Sequence, residues 1–304
     1  MKTPEFDFRD LARNLIINGD MRINQRFGGN TITTGSLLNT ALTLDRWVYN
    51  ATQAAKFTAI RDSAGGNAAN GLPWYHNLTC VASYTPLTGD YFLLSQHIEG
   101  NNTIQLAWGT SSAKAVTLSF WTKSSVTGTL GGVIRNGAQN RSYPFSYTVL
   151  VANVWEYKTI VIPGDTAGTW LTNNGIGMSV FFSLGAGASL SGPANTWASA
   201  NYVSASGATN VVTNGATWNV TGVQINEGAV AAPFQHRSAS DELILCQRYY
   251  EKSYDLDTPP LTATNNGAVS QYSNASTSVR GSVIFRVVKR DIPTPCLISK
   301  TFTS

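Results

Sequence analysis

Apolar and polar residues alternate over several short stretches of the chain. Between Ala113 and Lys123, Val116, Leu118 and Phe120 share one face, and Thr117, Ser119 and Trp121 share the other. The same period of two runs from Thr217 to Ile225. Trp155 to Ile162 is β-branched and aromatic and stops at Pro163-Gly164. Met178-Ser179-Val180-Phe181-Phe182 is a compact apolar run, and Leu15-Ile16-Ile17 is closed by Asn18-Gly19. A period of two belongs to a half-buried strand. Asn-Gly pairs at Asn70-Gly71, Asn136-Gly137, Asn174-Gly175 and Asn214-Gly215 mark turns, because both residues accept positive φ. Short strands with recurring turn signals predict an antiparallel β-sandwich from residue 14 to about residue 236.

One helix stands apart from this pattern. Ser238 is placed to cap it, with Asp241 three residues on, and Leu243, Ile244, Cys246, Gln247 and Tyr250 follow at helical spacing. The predicted helix covers 239–252, and Pro259-Pro260 prevents continuation. After it, Val279 to Arg290 alternates again and predicts a strand with one charged face. Two stretches read as loops: Ser63–Gly71, and the longer Gly185–Asn214, which holds Trp197 and Tyr202. Residues 1–13 form a short charged arm. The organisation expected is therefore an arm (1–13), a sandwich (14–236), and a helix with a β extension (237–304).

Composition sharpens this picture. Only 12% of the 304 residues are charged, about half the ordinary share of about 25%. Ser, Thr, Asn and Gly take their place, which disfavours long surface helices and favours turns and strands. The formal net charge of +4 is dispersed, with no Lys/Arg block to track a phosphate backbone, so nucleic-acid binding is not expected. Cys80, Cys246 and Cys296 are odd in number and widely spaced, and read as reduced thiols. No signal-peptide core is seen near the start, and no apolar run approaches the ~18 residues of a membrane span. Synthesis and assembly in a reducing cytoplasm, without membrane insertion, are expected.

Several segments then act together. They are Asn14-Leu15-Ile16-Ile17-Asn18-Gly19-Asp20-Met21, Asp45-Arg46-Trp47, Gly222-Val223-Gln224-Ile225-Asn226-Glu227-Gly228, Ala232-Pro233-Phe234-Gln235-His236-Arg237, and Cys246-Gln247-Arg248-Tyr249-Tyr250. Their order resembles a family of tailed-phage tail-fibre and receptor-binding proteins whose main domain is a jelly roll like a carbohydrate-binding module. The resemblance spans roughly Asn14 to Arg290. It implies a jelly-roll sandwich, a virion location, attachment to other virion proteins through the arm, a homotrimer, and recognition of host surface glycans. Such jelly rolls often hold a structural calcium through an acidic residue after the Asn-Gly turn. Here the order is Asp20-Met21-Arg22, and Asp20 or Glu227 would have to serve.

No motif of catalysis accompanies this resemblance. His76, His97 and His236 lack metal-ligand spacing, and neither GxSxG nor HExxH occurs. The expectation is a protein that is not an enzyme. Aromatic residues near loops are the better candidates, since a sugar ring stacks its C–H face on an aromatic ring while amides bind its hydroxyls. The candidates are Trp74, Tyr75, Trp170, Trp197 and Tyr202, with Asn173 and Asn201. Trp47, Trp121, Trp155 and Trp218 lie in strands and read as core. Tyr249, Tyr250, Tyr254 and Phe285 are expected at a subunit interface, because the remaining chain offers them few partners. Two rival functions stay open: a purely structural virion part (neck, collar or capsid-decorating fibre), and a polysaccharide-degrading tailspike.

Overall fold

The computed structural model describes residues 13–28, 32–33, 41–67, 70–260, 262, 264, 272–275, 278–280 and 284–294. Residues 1–12 of the expected arm, Cys296, and 281–283 of the expected final strand lie outside them.

Two six-stranded antiparallel sheets make the sandwich. The first runs in the order β1 (Ile32–Thr33), β4 (Phe57–Asp62), β5 (Tyr75–Cys80), β14 (Thr217–Glu227), β7 (Val116–Ser124), β10 (Glu156–Ile162). The second runs β2 (Ala41–Leu44), β3 (Trp47–Ala51), β6 (Tyr91–Glu99), β11 (Ile176–Ala186), β8 (Gly128–Arg135), β9 (Ser142–Val149). The chain passes repeatedly from one sheet to the other, as in a jelly roll. In β7, Leu118 and Phe120 are fully buried as expected, but Thr117 and Ser119 on the other face are buried too, and only Trp121 and Lys123 there are half-buried. The core between the sheets is aromatic. Phe182 lies 4.9 Å from Phe120 and 5.3 Å from Trp218, ring centre to ring centre. Trp218 donates its indole N–H to Tyr147 Oη at 3.0 Å, and Trp47 donates to the Asn18 carbonyl at 2.9 Å, so neither buried indole is left unpaired.

Trp47 and Trp218 are core residues as expected. Trp121 is not: its ring lies on the outer face of the first sheet, 5.3 Å from Tyr157. Trp155 just precedes β10 and meets Tyr75 edge-on at 5.5 Å. Alternation separates two faces without saying which one is covered.

The motif segments form a seam. Leu15 N donates to the Ile225 carbonyl in β14 (2.9 Å), and the Asn14 amide donates to the Val223 carbonyl (3.0 Å). Gly19 backs directly on β14, where a Cβ would sit 2.1 Å from the Val223 oxygen. Gln96 pairs both ways with the Ile17 backbone, at 2.8 Å each. Gln25 donates its backbone and side-chain N–H groups to Asp45, at 2.6 and 2.7 Å.

The helix, α1 (Ala239–Gln247), begins where expected: Ser238 Oγ accepts from Asp241 N at 3.0 Å. It ends at Gln247, not at residue 252, because the following residues turn to bond the sandwich. Arg248 pairs with Glu99 (2.7 and 2.8 Å), and the Tyr249 hydroxyl donates to the same carboxylate. Cys246 is buried with Ile17 and Ile23. The expected strand over 279–290 is also corrected. β16 (Ser278–Arg280) pairs with β15 (Tyr272–Ala275), but 284–290 form no strand. Their backbone is captured instead: Arg286 N donates to Glu251 and Arg290 N to the Arg248 carbonyl.

The long loop is partly ordered. It contains β12 (Ser191–Gly192) and β13 (Ser204–Ala205), which pair in parallel, and Val203 packs on Leu93, Val133 and Phe181 of the second sheet.

Candidate functional site

Loops at one end of the sandwich bring three tryptophans together. Trp108 follows two 3-10 turns (Gly100–Asn102 and Ile104–Leu106), Trp170 lies between β10 and β11, and Trp197 comes from the long loop. Trp108 meets Trp170 at 4.6 Å and Trp197 at 5.4 Å, both edge-to-face, and Trp170 meets Trp197 at 5.6 Å. Tyr143 of β9 adds a fourth ring, 5.1 Å from Trp197. Edge-to-face contacts of this kind set positive ring edges on negative faces.

Hydrogen bonds fix each indole. Trp108 donates to the Lys114 carbonyl (2.7 Å), Trp197 to the Pro163 carbonyl (2.9 Å) and Trp170 to Asp165 (3.2 Å). Asp165 is buried and also takes a two-pronged pair from Arg141, at 2.6 and 2.8 Å. That bond raises the Arg141 pKa above its ordinary value, so the guanidinium stays charged and the loop stays anchored.

A groove of about 230 Å³ opens beside this cluster, lined by Thr103, Ile104, Trp108, Trp170, Leu171 and Thr172 among others. None of its lining side chains is titratable. Aromatic and aliphatic walls with a few hydroxyls fit an uncharged ligand that has one apolar face and several polar edges.

The sequence candidates separate into three places. Trp170 and Trp197 come together here, and Asn173 shapes the adjoining turn, accepting from Gly175 N at 2.9 Å. Trp74 and Tyr75 belong to the first sheet instead. The Arg61 guanidinium covers Trp74 at 4.5 Å. Tyr75 is buried and donates its hydroxyl to Asp62 (2.8 Å), and burial followed by that carboxylate pushes its pKa up. Asn201 and Tyr202 lie on the long loop: Asn201 accepts from Arg135, and the Tyr202 ring rests on Gly192. Trp108 and Tyr143 were missed. Trp108 carried a usable signal, since Trp108-Gly109-Thr110 repeats the small-polar context of Gly168-Thr169-Trp170. Tyr143 carried none, being an inward strand residue like many others.

The expected interface tyrosines have partners in their own chain. Arg46 lies 3.4 Å over the Tyr249 ring and Arg26 lies 3.6 Å over Tyr250, while Tyr254 is half-buried. The premise that the chain offers them few partners is thereby corrected. Phe285 is 41% exposed, with Lys289 4.9 Å from its ring centre.

The calcium ligands implied by the resemblance are mostly engaged by cations of the chain. Asp20 pairs with Arg22 through one oxygen while its other, buried oxygen has no hydrogen-bond partner, Glu227 pairs with Lys114 (2.7 Å), and among the described residues no three His, Cys, Asp or Glu side chains gather around a point that could hold a metal ion. His76 is fully buried between Thr43 Oγ1 (2.7 Å) and the Ile60 carbonyl (3.2 Å), and burial holds its pKa at about 4.

No protein-family model matches this sequence, and no curated protein matches it. Solved structures of similar shape exist. A putative sugar binding protein from Bacteroides thetaiotaomicron matches with a TM-score of 0.41 at 11% identity, over 71% of this chain and 100% of that one. A CBM4 structure matches at 0.36 and 14%, over 69% and 98%. The enzymatically active domain of tailspike protein 4 from bacteriophage CBA120 also matches at 0.36 and 14%, over 64% of this chain but only 22% of that domain's chain.

Proposed function

We propose that this chain is a non-catalytic virion protein of a tailed bacteriophage, of the tail-fibre or receptor-binding type, that holds host surface glycan at the Trp108–Trp170 groove. The observation that carries the reading is the groove itself. Two indoles held by hydrogen bonds line a cleft whose other walls are aliphatic and threonine side chains. Such a wall receives the C–H face of a pyranose, and the threonine hydroxyls reach its edges. The lack of a titratable side chain in the lining supports binding over hydrolysis, since glycoside cleavage needs an acid and a second carboxylate across the bond. The phage assignment draws its support from the residues of the seam, in the order given above.

Oligomerisation belongs to the same reading. Single sugar sites are weak, and linking several raises avidity by about 10²–10⁴. Exposed Ile284 (88%), Val288 (83%) and Ile292 (91%) offer an apolar strip that a second copy would cover. A trimer is the number implied by the resemblance.

The test is glycan binding by Trp170→Ala, with Trp121→Ala on the remote sheet face as the control. Calorimetry against a neutral host oligosaccharide should show at least a tenfold loss for the first variant and none for the second. Equal binding by both folded variants overturns the site, and release of reducing ends by the wild type revives the tailspike alternative.

A further inference from the structure

On the outer face of the second sheet, the strand register sets three residues side by side. His97 of β6, Ser179 of β11 and Arg135 of β8 are direct cross-strand partners. Arg46, in the β2–β3 turn, reaches in beside them and donates to the His97 carbonyl. His97 Nδ1 and Ser179 Oγ lie 2.7 Å apart.

Neither arginine of this row forms a salt bridge among the described residues, and Arg46 feels the Glu99 carboxylate only at longer range. Arg135 is only 5% exposed; its guanidinium lies 4.2 Å over the Phe181 ring, and among the described residues its side chain bonds only the neutral Asn201 amide oxygen. Its Nε is buried without an acceptor, as is that of Arg46. The nearby Glu99 carboxylate is taken by Arg248 and Tyr249. Burial first, and then the charges of Arg46, Arg135 and Arg290, hold the His97 pKa at about 4, so His97 adds no positive charge of its own near neutral pH. A buried guanidinium with no salt-bridged carboxylate is costly to keep charged, and its planar fork of donors matches a carboxylate or phosphate.

We infer that the Arg46–His97–Ser179–Arg135 row binds the anionic group, carboxylate or phosphate, of an acidic polysaccharide. This rests on the glycan reading above and deepens it. The groove takes an uncharged ring, and the row takes a charged one of the same polymer. The groove loop enters β11 at Ile176 and Ser179 lies roughly 10 Å further along that strand, on the face opposite the groove-lining Met178, so a polymer serving both would pass round the end of the strand.

The test compares three probes by calorimetry: an oligogalacturonate for the carboxylate, a glycerol-phosphate oligomer for the phosphate, and a neutral galactan oligomer. At least one acidic probe should bind about tenfold more tightly than the neutral one, with an advantage that shrinks as salt rises. The probe that binds identifies the anion. Arg135→Gln and, separately, Arg46→Gln should remove most of that advantage and leave neutral binding unchanged. Circular dichroism selects the folded variants. No preference for either acidic probe, or a preference kept by both folded variants, overturns the inference. If neutral binding is lost in Trp170→Ala and no acidic preference exists, the row fails while the groove stands. If the arginine variants lose the preference but Trp170→Ala binds normally, the groove fails and the row stands.

Discussion

Asn14 shows what its motif does. Its side-chain amide donates to the Val223 carbonyl, and its oxygen accepts from Ile16 N and Ile225 N. These partners are up to 211 residues away, so no local pattern in the sequence could reveal them. The motif residues were legible as a resemblance and are, in physical terms, hydrogen-bond hubs. His76 is another buried polar residue, and it has a measurable signature. Its ring is enclosed and its pKa lies at about 4, against an ordinary 6.5. Above pH 6.5 it is neutral in both folded and unfolded chains and contributes nothing to pH dependence. As pH falls from 6.5 to about 4, the unfolded chain takes up a proton that the folded one refuses. Stability should therefore drop by up to about 1.4 kcal/mol per pH unit from this group. His97 acts in the same direction. In urea titrations at several pH values, His76→Gln should show a shallower loss across this window; an unchanged slope refutes the assignment.

At the scale of elements, α1 was legible at its start and not at its end. A Ser cap is a local signal, whereas the stop at Gln247 is set by Glu99, which recruits Arg248 and Tyr249 from the sandwich. The helix buries Glu242, Cys246 and Gln247, a mixed face that hydrophobic spacing alone does not anticipate. Glu242 accepts from Asn18 N and pairs with Arg237, and both side chains are largely buried. Ser238→Ala should then cost about 1 kcal/mol, the ordinary worth of a cap. Glu242→Ala should cost about 3 kcal/mol or more, because it leaves the Arg237 charge buried without its partner. Chemical denaturation of the two variants gives the ranking, and equal losses would mean that the helix docks through its apolar contacts instead. The segment after the helix misled for a related reason. Alternation from Val279 to Arg290 fits a strand, but Glu251 and Gln247 draw Lys289 inward, and the ladder is not extended.

At the scale of the whole molecule, the β class was legible because alternation and Asn-Gly turns are local and frequent. The meeting of Trp108, Trp170 and Trp197 was not, because three separate loops supply it. Low charge was read as favouring turns and strands, and several of the few charges are paired with little exposure: Arg141 with Asp165, Arg248 with Glu99, Arg237 with Glu242. Ile284, Val288 and Ile292 are among the most exposed apolar side chains of the described residues, and they are the ones proposed for subunit contact. Replacing all three by Ser should convert the proposed oligomer to a monomer in sedimentation equilibrium without loss of the sandwich's circular dichroism. A wild type that is already monomeric at micromolar concentration removes the oligomer from the reading.

The seam has a mechanical consequence. The Arg237 guanidinium holds the carbonyls of Asn14 and Ile16, so the strands of the sandwich lie within a loop of chain that is clasped shut where it enters and leaves. Tension applied between Arg13 and Ser238 passes through that clasp and the Leu15–Ile225 bond before it loads either sheet. A force pulling on the two ends of this segment would strain a few side-chain bonds first, while the Trp108–Trp170 groove stays at rest.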